Sequence, residues 1–252
     1  NSTILQASRF DLPNPQQTHA DLSDNYKTFL SLCSHEYFHA WNVCRIKPKE
    51  FVPYNLQQES YTKQLWAFEG FTSYYDDFSL YRTGLIDFDA YLTILAKTAT
   101  RVYRGAGELK QSITASSFDA WTKFYQQGPD AVNNIVSYYA KGALIALWLD
   151  LTIRSKSNNK YSLDTLMREL WIHFGRTNTG TTEEDFINIA NLLCGEDIST
   201  TFKHHLDSNQ RIDLSHDLAN YGVELQKQKF KKLNSLETTS AAHYHAYLGA
   251  QY

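Results

Sequence analysis

The sequence has few cysteines, only three in 252 residues, and their number is odd. Cys33 and Cys44 fall on or beside one predicted helix and are too far apart along it to bridge each other, and Cys194 stands alone. A sparse, odd set of thiols is typical of proteins whose cysteines stay reduced, because disulfide frameworks need pairs. We therefore expect reduced thiols and a cytoplasmic location, with a periplasmic or secreted protein as the alternative.

The sequence also lacks a long apolar segment and an excess of positive charge. The longest wholly apolar run, residues 143–149, is far shorter than the roughly 20 residues of a membrane-spanning helix. The formal net charge is −3, whereas nucleic-acid and anionic-membrane partners favour a basic surface. We therefore expect no membrane span and no nucleic-acid partner. The oligomeric state is not indicated by any of these features.

Apolar side chains recur at helical spacing along most of the chain, and the overall composition, 42% hydrophobic and 20% charged, is that of a globular protein. The pattern predicts a mainly α fold in which residues 105–117 form a loop and residues 223–225 a short strand. The predicted helices cover about 20–46, 59–82, 88–104 and 134–154, one that begins near 162, one over 182–195, and two short ones near 200–207 and 214–221.

The sequence His35-Glu36-Tyr37-Phe38-His39 is an HExxH motif. Two histidines four residues apart lie on one face of a helix, one turn from each other, so both imidazoles can reach one metal ion. Glu36 lies beside that face and can act as general base on a metal-bound water. A five-residue pattern alone also fits an amphipathic helix with two incidental histidines, so the surrounding sequence has to decide between the two interpretations.

A catalytic zinc ion usually takes three protein ligands and a water. Glu69 is the best candidate for the third ligand, because residues 65–75 around it are mostly apolar and aromatic, and an ionised carboxylate there needs a strong partner. Glu59 is the rival, although it falls in a polar run, residues 57–60, that reads as an exposed helix start. Asp76, seven residues beyond Glu69, shares its helix face and could accept the second N–H of a ligand histidine; a solvated helix face is the alternative.

Three segments resemble the glycyl aminopeptidase family. Its members are gluzincin zinc metallopeptidases related to the aminopeptidase N family. They are HEYFHAWNVCRI at residues 35–46, WAFEGFTSYYDD at 66–77 and SYYAKGA at 137–143. The resemblance implies a thermolysin-like catalytic domain, lying between an N-terminal β domain and a C-terminal PDZ domain. It also implies one Zn²⁺ ion per chain and peptide substrates with a free N-terminus, from which glycine and alanine are preferentially removed.

By the same resemblance, residues 1–225 form the catalytic domain, truncated at its N-terminal edge, and residues 226–252 form a linker and the start of a PDZ-like domain. Residues 243–252 are similar to the opening strand of that domain. The family carries a Gly-Gly-Leu-Glu-His segment that would precede Asn1 and resembles the amine-binding segment of aminopeptidase N relatives. Because this sequence does not contain it, no residue is assigned to the substrate ammonium.

The resemblance also implies a role for Tyr139 as the hydrogen-bond donor to the reacting carbonyl oxygen, with Tyr138 as the second choice. Lys141 is interpreted as a solvated side chain. Two other functions fit the motif less well. One is a zinc endopeptidase with an open cleft; the other is a non-catalytic interaction module with structural zinc, which would normally have four protein ligands and no need of Glu36.

Overall fold

Helices dominate the computed structural model, which describes residues 2–13, 22–229 and 244–250. The prediction of a mainly α fold is therefore confirmed. Short 3₁₀ turns cover 9–11, 49–51 and 107–109, and π-helical turns cover 120–124 and 171–175. The α-helices of the described residues are α1 Asp24–Phe38, α2 Leu65–Phe68, α3 Gly70–Arg82, α4 Phe88–Tyr103, α5 Ile113–Phe118, α6 Ala131–Asn134, α7 Tyr138–Lys156, α8 Leu163–Leu170, α9 Glu183–Cys194, α10 Ser199–Asp207 and α11 Ser215–Ala219.

Capping residues account for several helix boundaries that the sequence predicts correctly. Asp87 caps α4 by accepting a hydrogen bond from the backbone N–H of Ala90, and Thr182 caps α9 in a reciprocal pair with Asp185. Gly195 ends α9 with a φ of 70°, which costs glycine little. The predicted loop over 105–117 is wrong in its last part, because Ser112 caps the short helix α5.

The boundaries of the two helices that flank the motif differ from the prediction. Helix α1 ends at Phe38, with His39 as its C-cap, so the prediction that it continues to residue 46 is wrong. The second helix does not begin near residue 59 but at α2, and residues 52–64 are not helical. The reason is tertiary: the Gln64 amide donates to the Thr181 carbonyl oxygen (2.9 Å), 117 residues away, and to Glu50 (3.2 Å), which ties this segment to other parts of the fold.

Helix α7 runs through the core, with buried residues around its whole circumference. Helix α3 packs against both α7 and α1. The α3–α7 contact is close because glycines face each other there: a Cβ at Gly142 would lie 2.6 Å from the Trp66 carbonyl oxygen and 2.8 Å from the Gly70 Cα. This three-helix arrangement brings the HExxH helix, Glu69 and Tyr139 to one region of the molecule.

Two antiparallel strands, β1 Val223–Lys229 and β2 Tyr244–Ala250, form the sheet of the described chain, with Val223 opposite Ala250. Strand β1 runs through the predicted domain boundary at residue 225. The proposed PDZ opening strand overlaps β2, and its residues 243, 251 and 252 lie outside the described part. Within the described residues, no helix has both the length and the hydropathy to span a bilayer.

Candidate metal centre

His35, His39 and Glu69 present their side-chain donor atoms to one point. Nε2 of His35 lies 3.2 Å from Oε2 of Glu69, and Nε2 of His39 lies 3.3 Å from the same oxygen. One donor atom from each residue falls within 4.8 Å of the others. The two imidazole rings are perpendicular, with centroids 4.7 Å apart, as two histidines one helical turn apart can be. The structure thus brings together the three residues that the sequence predicts as ligands.

The position of Glu69 depends on a break between α2 and α3. Glu69 is the residue between the two helices, and its carboxylate turns toward the end of α1. Asn42 fixes the relative position of these segments, because its buried amide donates to the Ala67 carbonyl oxygen (3.1 Å) and to the Thr72 hydroxyl (3.3 Å). Sequence reasoning assigned Asn42 no role, since nothing in the local pattern shows which distant backbone a side-chain amide will reach.

Hydrogen bonds on the far side of each ring define the histidine tautomers. Nδ1 of His35 lies 2.9 Å from Oδ2 of Asp76, and Nδ1 of His39 lies 2.8 Å from the carbonyl oxygen of Asn42. A carbonyl or carboxylate oxygen accepts, so both Nδ1 atoms carry protons and both Nε2 lone pairs are left for a metal. Asp76 therefore lies where its seven-residue spacing from Glu69 predicts, within hydrogen-bonding distance of His35. Glu59, the rival ligand, is exposed and lines the cavity next to the cluster.

Without a metal, this cluster binds protons tightly. Burial alone would lower the pKa of His35, but hydrogen bonds to Asp76 and Glu69 outweigh it and raise the pKa to about 9. Burial would raise the pKa of Glu69, yet hydrogen bonds from His35 and His39 hold it below the ordinary value. Burial raises the pKa of Asp76 to about 7, against the effect of His35. A partly buried cluster of two imidazoles and a carboxylate, oriented by outer hydrogen bonds, fits Zn²⁺.

Glu36 and Tyr139, the predicted catalytic residues, lie next to these ligands. Glu36 follows His35 on α1, is partly exposed, and accepts a hydrogen bond from the Thr3 hydroxyl at 3.4 Å. The Tyr139 ring centroid lies 6.1 Å from that of His35. Burial and the nearby Glu69 carboxylate raise the pKa of Tyr139 far above that of a free phenol, so its hydroxyl stays protonated and able to donate.

The Tyr139 hydroxyl is hydrogen-bonded to that of Tyr125 at 3.1 Å. Tyr125 follows the π-helical turn at residues 120–124 and is exposed to the cavity. Sequence reasoning did not find it, because nothing in its local sequence shows which distant hydroxyl its own hydroxyl will reach. Tyr138, the second choice for the oxyanion donor, is only 1% exposed and stacks against Tyr139, with ring centroids 4.7 Å apart.

The prediction that Lys141 is a solvated side chain is wrong. Its side chain is 1% exposed instead of solvated, donates to the Gln210 carbonyl oxygen (3.1 Å), and lies 3.8 Å from the Glu108 carboxylate. Arg211 contacts the other oxygen of Glu108 at 2.8 Å. The lysine is buried because α7 is surrounded on all sides, including this turn. It therefore anchors the start of the helix that carries Tyr139.

The fold and the site define a helical protein with an HExxH helix and, as the third candidate ligand, a carboxylate between two neighbouring helices. The sequence model of the M61 glycyl aminopeptidase family matches residues 28–145. Among solved structures, an aminopeptidase N family protein from Idiomarina loihiensis is 53% identical, with a TM-score of 0.85. The match covers 88% of this chain and 38% of that one. No curated protein matches significantly. The chain belongs to the glycyl aminopeptidase family.

Proposed function

We propose that this protein is a zinc-dependent aminopeptidase, with one Zn²⁺ ion held by His35, His39 and Glu69. The observation that carries the proposal is the convergence of both imidazole Nε2 atoms on the Glu69 carboxylate, with both Nδ1 atoms already hydrogen-bonded. Three protein ligands leave a position for water, as catalytic zinc sites require. The family and the similar solved structure support a peptidase that acts on free N-termini.

The chemistry that a bound zinc ion supplies in such a site is polarisation of the scissile carbonyl and a water of lowered pKa. Glu36 accepts the proton of the attacking water and passes it to the leaving amine. Tyr139 donates a hydrogen bond to the carbonyl oxygen as negative charge develops on it. Asp76 and the Asn42 carbonyl oxygen keep the two histidines in the required tautomer, and Lys141 anchors the turn that presents Tyr139.

The finer assignments follow the family. We infer a thermolysin-like domain over residues 1–225, a preference for N-terminal glycine or alanine, and the start of a PDZ-like domain over residues 226–252. The chain spans 38% of the length of the solved relative.

The test of the proposal is Glu36→Gln in the zinc-loaded protein, assayed with a free-amine glycyl or alanyl peptide. Removing the general base while keeping the shape should lower kcat by about 10²–10⁴-fold, with zinc content unchanged. Tyr139→Phe should lower kcat by roughly 10²–10³-fold through loss of one oxyanion donor. Glu184→Gln on the remote helix α9 is the matched control, since that carboxylate pairs with Lys203 on the surface.

Near-wild-type turnover of Glu36→Gln with zinc bound would show that the peptidase mechanism is wrong. An N-acetylated copy of the same peptide separates the two kinds of peptidase. Cleavage of the acetylated peptide at an equal rate would identify an endopeptidase instead of an aminopeptidase.

A further inference from the structure

A cavity of about 760 Å³ opens beside Glu69. Its volume lies in the range of ligand-binding pockets, and it is far larger than the methyl group of an alanine requires. Two segments form most of its walls: residues 51–62, which form irregular turns and bends after the 3₁₀ turn, and residues 117–125. The cavity adjoins the metal centre, because Glu69 belongs to its lining.

Seven of the 18 residues that line this cavity are aromatic, and several of their rings contact one another. Tyr61 and Phe118 pair across the two segments, with centroids 5.2 Å apart, and Trp121 and Tyr125 are 6.2 Å apart. Phe118 is 45% exposed and Trp121 is 54% exposed. These large apolar rings therefore present surface to the cavity and not to the core. A cluster of this kind at a cleft is a common feature of binding sites.

The charge of the lining is one-sided. Among the described residues that line the cavity, none is Lys, Arg or His, and two carboxylates are present, those of Glu59 and Glu69. Since Glu69 is a metal ligand in the proposed function, Glu59 supplies the free charge at the rim. An anionic side chain would meet the like charge of Glu59 in the lining, whereas an apolar side chain would cover apolar rings.

We propose that this cavity, the aromatic pocket lined by Tyr61, Phe118, Trp121 and Tyr125, binds a large apolar side chain of the peptide substrate. The proposal rests on the proposed function and deepens it, because it adds a second determinant of substrate choice. The hydrogen bond between Tyr125 and Tyr139 connects the pocket to the reacting centre.

The residue that occupies the aromatic pocket is the one that follows the scissile bond. In an aminopeptidase only the first residue precedes the cleaved bond, and a first residue of glycine or alanine leaves no large side chain on that side. The pocket adjoins Glu69 directly, so the nearest residue on the leaving side can reach it. The preferred substrates are then peptides in which a small first residue precedes Phe, Tyr or Leu.

The test compares the dipeptide amides Gly-Phe-NH₂, Gly-Leu-NH₂, Gly-Ala-NH₂ and Gly-Asp-NH₂ on the zinc-loaded protein. We expect kcat/KM to be at least about 10-fold higher for Phe than for Ala, since each added methylene in an apolar pocket counts for that much or more. The aspartyl amide should be the poorest substrate. A Phe/Ala ratio near one in the wild type overturns the proposal.

Two variants locate the preference in the pocket. Phe118→Ala and Trp121→Ala each remove one half-exposed ring and should lower the Phe/Ala ratio of kcat/KM by roughly 2- to 10-fold. Leu192→Ala is the matched control, because Leu192 is an apolar side chain 76% exposed on α9, outside the lining. It should leave the ratio unchanged. An unchanged ratio in both pocket variants, with helix content intact by circular dichroism, overturns the proposal.

Binding separates this inference from the proposed function. Isothermal titration of the zinc-loaded protein with phenylalaninamide and alaninamide, the two leaving groups, needs no turnover. Tighter binding of phenylalaninamide that Phe118→Ala weakens supports the pocket even if no dipeptide amide is cleaved, and in that case the proposed function alone fails. Equal binding of the two amides overturns the pocket even if the peptides are cleaved.

Discussion

A single methyl group at Gly142 tests whether the α3–α7 contact sets the geometry of the site. A Cβ there would lie 2.6 Å from the Trp66 carbonyl oxygen and 2.8 Å from the Gly70 Cα. Both neighbours are backbone atoms of packed helices, so no side chain can rotate away and the helices must separate. Gly70 follows Glu69 directly, and Gly142 lies one turn after Tyr139, so the separation displaces the proposed third ligand and the proposed oxyanion donor together.

Two opposing effects set the expected change in the free energy of unfolding of Gly142→Ala. Extra volume in a packed interior costs about 1–3 kcal/mol, and contacts with backbone on both sides place Gly142→Ala at the upper end. Replacing a helical glycine by alanine returns about 1 kcal/mol. The net loss in the free energy of unfolding is therefore roughly 2 kcal/mol, or about 4–8 °C in Tm for a chain of this size. Activity should fall as well, because reaction rates respond to displacements of about 1 Å.

Urea denaturation followed by circular dichroism measures the stability, and kcat of the zinc-loaded protein measures the expected loss of activity. The matched control is Gly128→Ala, where a Cβ meets nothing within 4 Å and the backbone is not left-handed; its stability should change by about 0.5 kcal/mol or less. If Gly142→Ala is as stable as the wild type, or more stable through its helix propensity, the close-approach argument is refuted.

Two further predictions concern metal binding. Asp76→Asn should weaken zinc affinity by roughly 10–100-fold, because the amide lacks the charge that orients and polarises His35. Competition with a chelator measures the affinity. An unchanged affinity would show that Asp76 does not support metal binding. Zinc affinity should also rise with pH up to about 9. The pKa of His35 is about 9 in the metal-free cluster, so below pH 9 zinc can bind Nε2 only after displacing a proton. Each unit of falling pH should therefore lower the zinc affinity about tenfold. Affinity that is flat between pH 7 and pH 9 would contradict this reasoning.

The residues of the motif helix illustrate what local patterns predict well. The placement of His35 and His39 on one face is a consequence of helical geometry, which needs no tertiary information. Asp76 was placed relative to Glu69 by the same periodicity. The local sequence places Glu69 among aromatic neighbours, and a carboxylate among large apolar residues needs a partner. No tertiary information was needed to single it out.

The predictions that failed depend on contacts between distant parts of the chain. The start of α2 could not be read from residues 57–64, because the Gln64 side chain is held by Thr181, which is 117 residues away. Lys141 was taken as solvated because lysine usually is, and only the packing of α7 brings Glu108 and Gln210 around it. Tyr125 and the aromatic pocket are likewise a product of two segments that no periodicity connects.

The sequence by itself determined the mainly helical class and the HExxH geometry and indicated Glu69 as the candidate third ligand, since each follows from spacing or from the cost of burying a charge. Tertiary structure alone decided how close α3 comes to α7, which far-side acceptor holds His39, and where the cavity beside Glu69 lies. The physical reason is the range of the interactions. Helical periodicity acts over a few residues, whereas buried hydrogen bonds and backbone contacts join segments whose separation in sequence leaves no local signature.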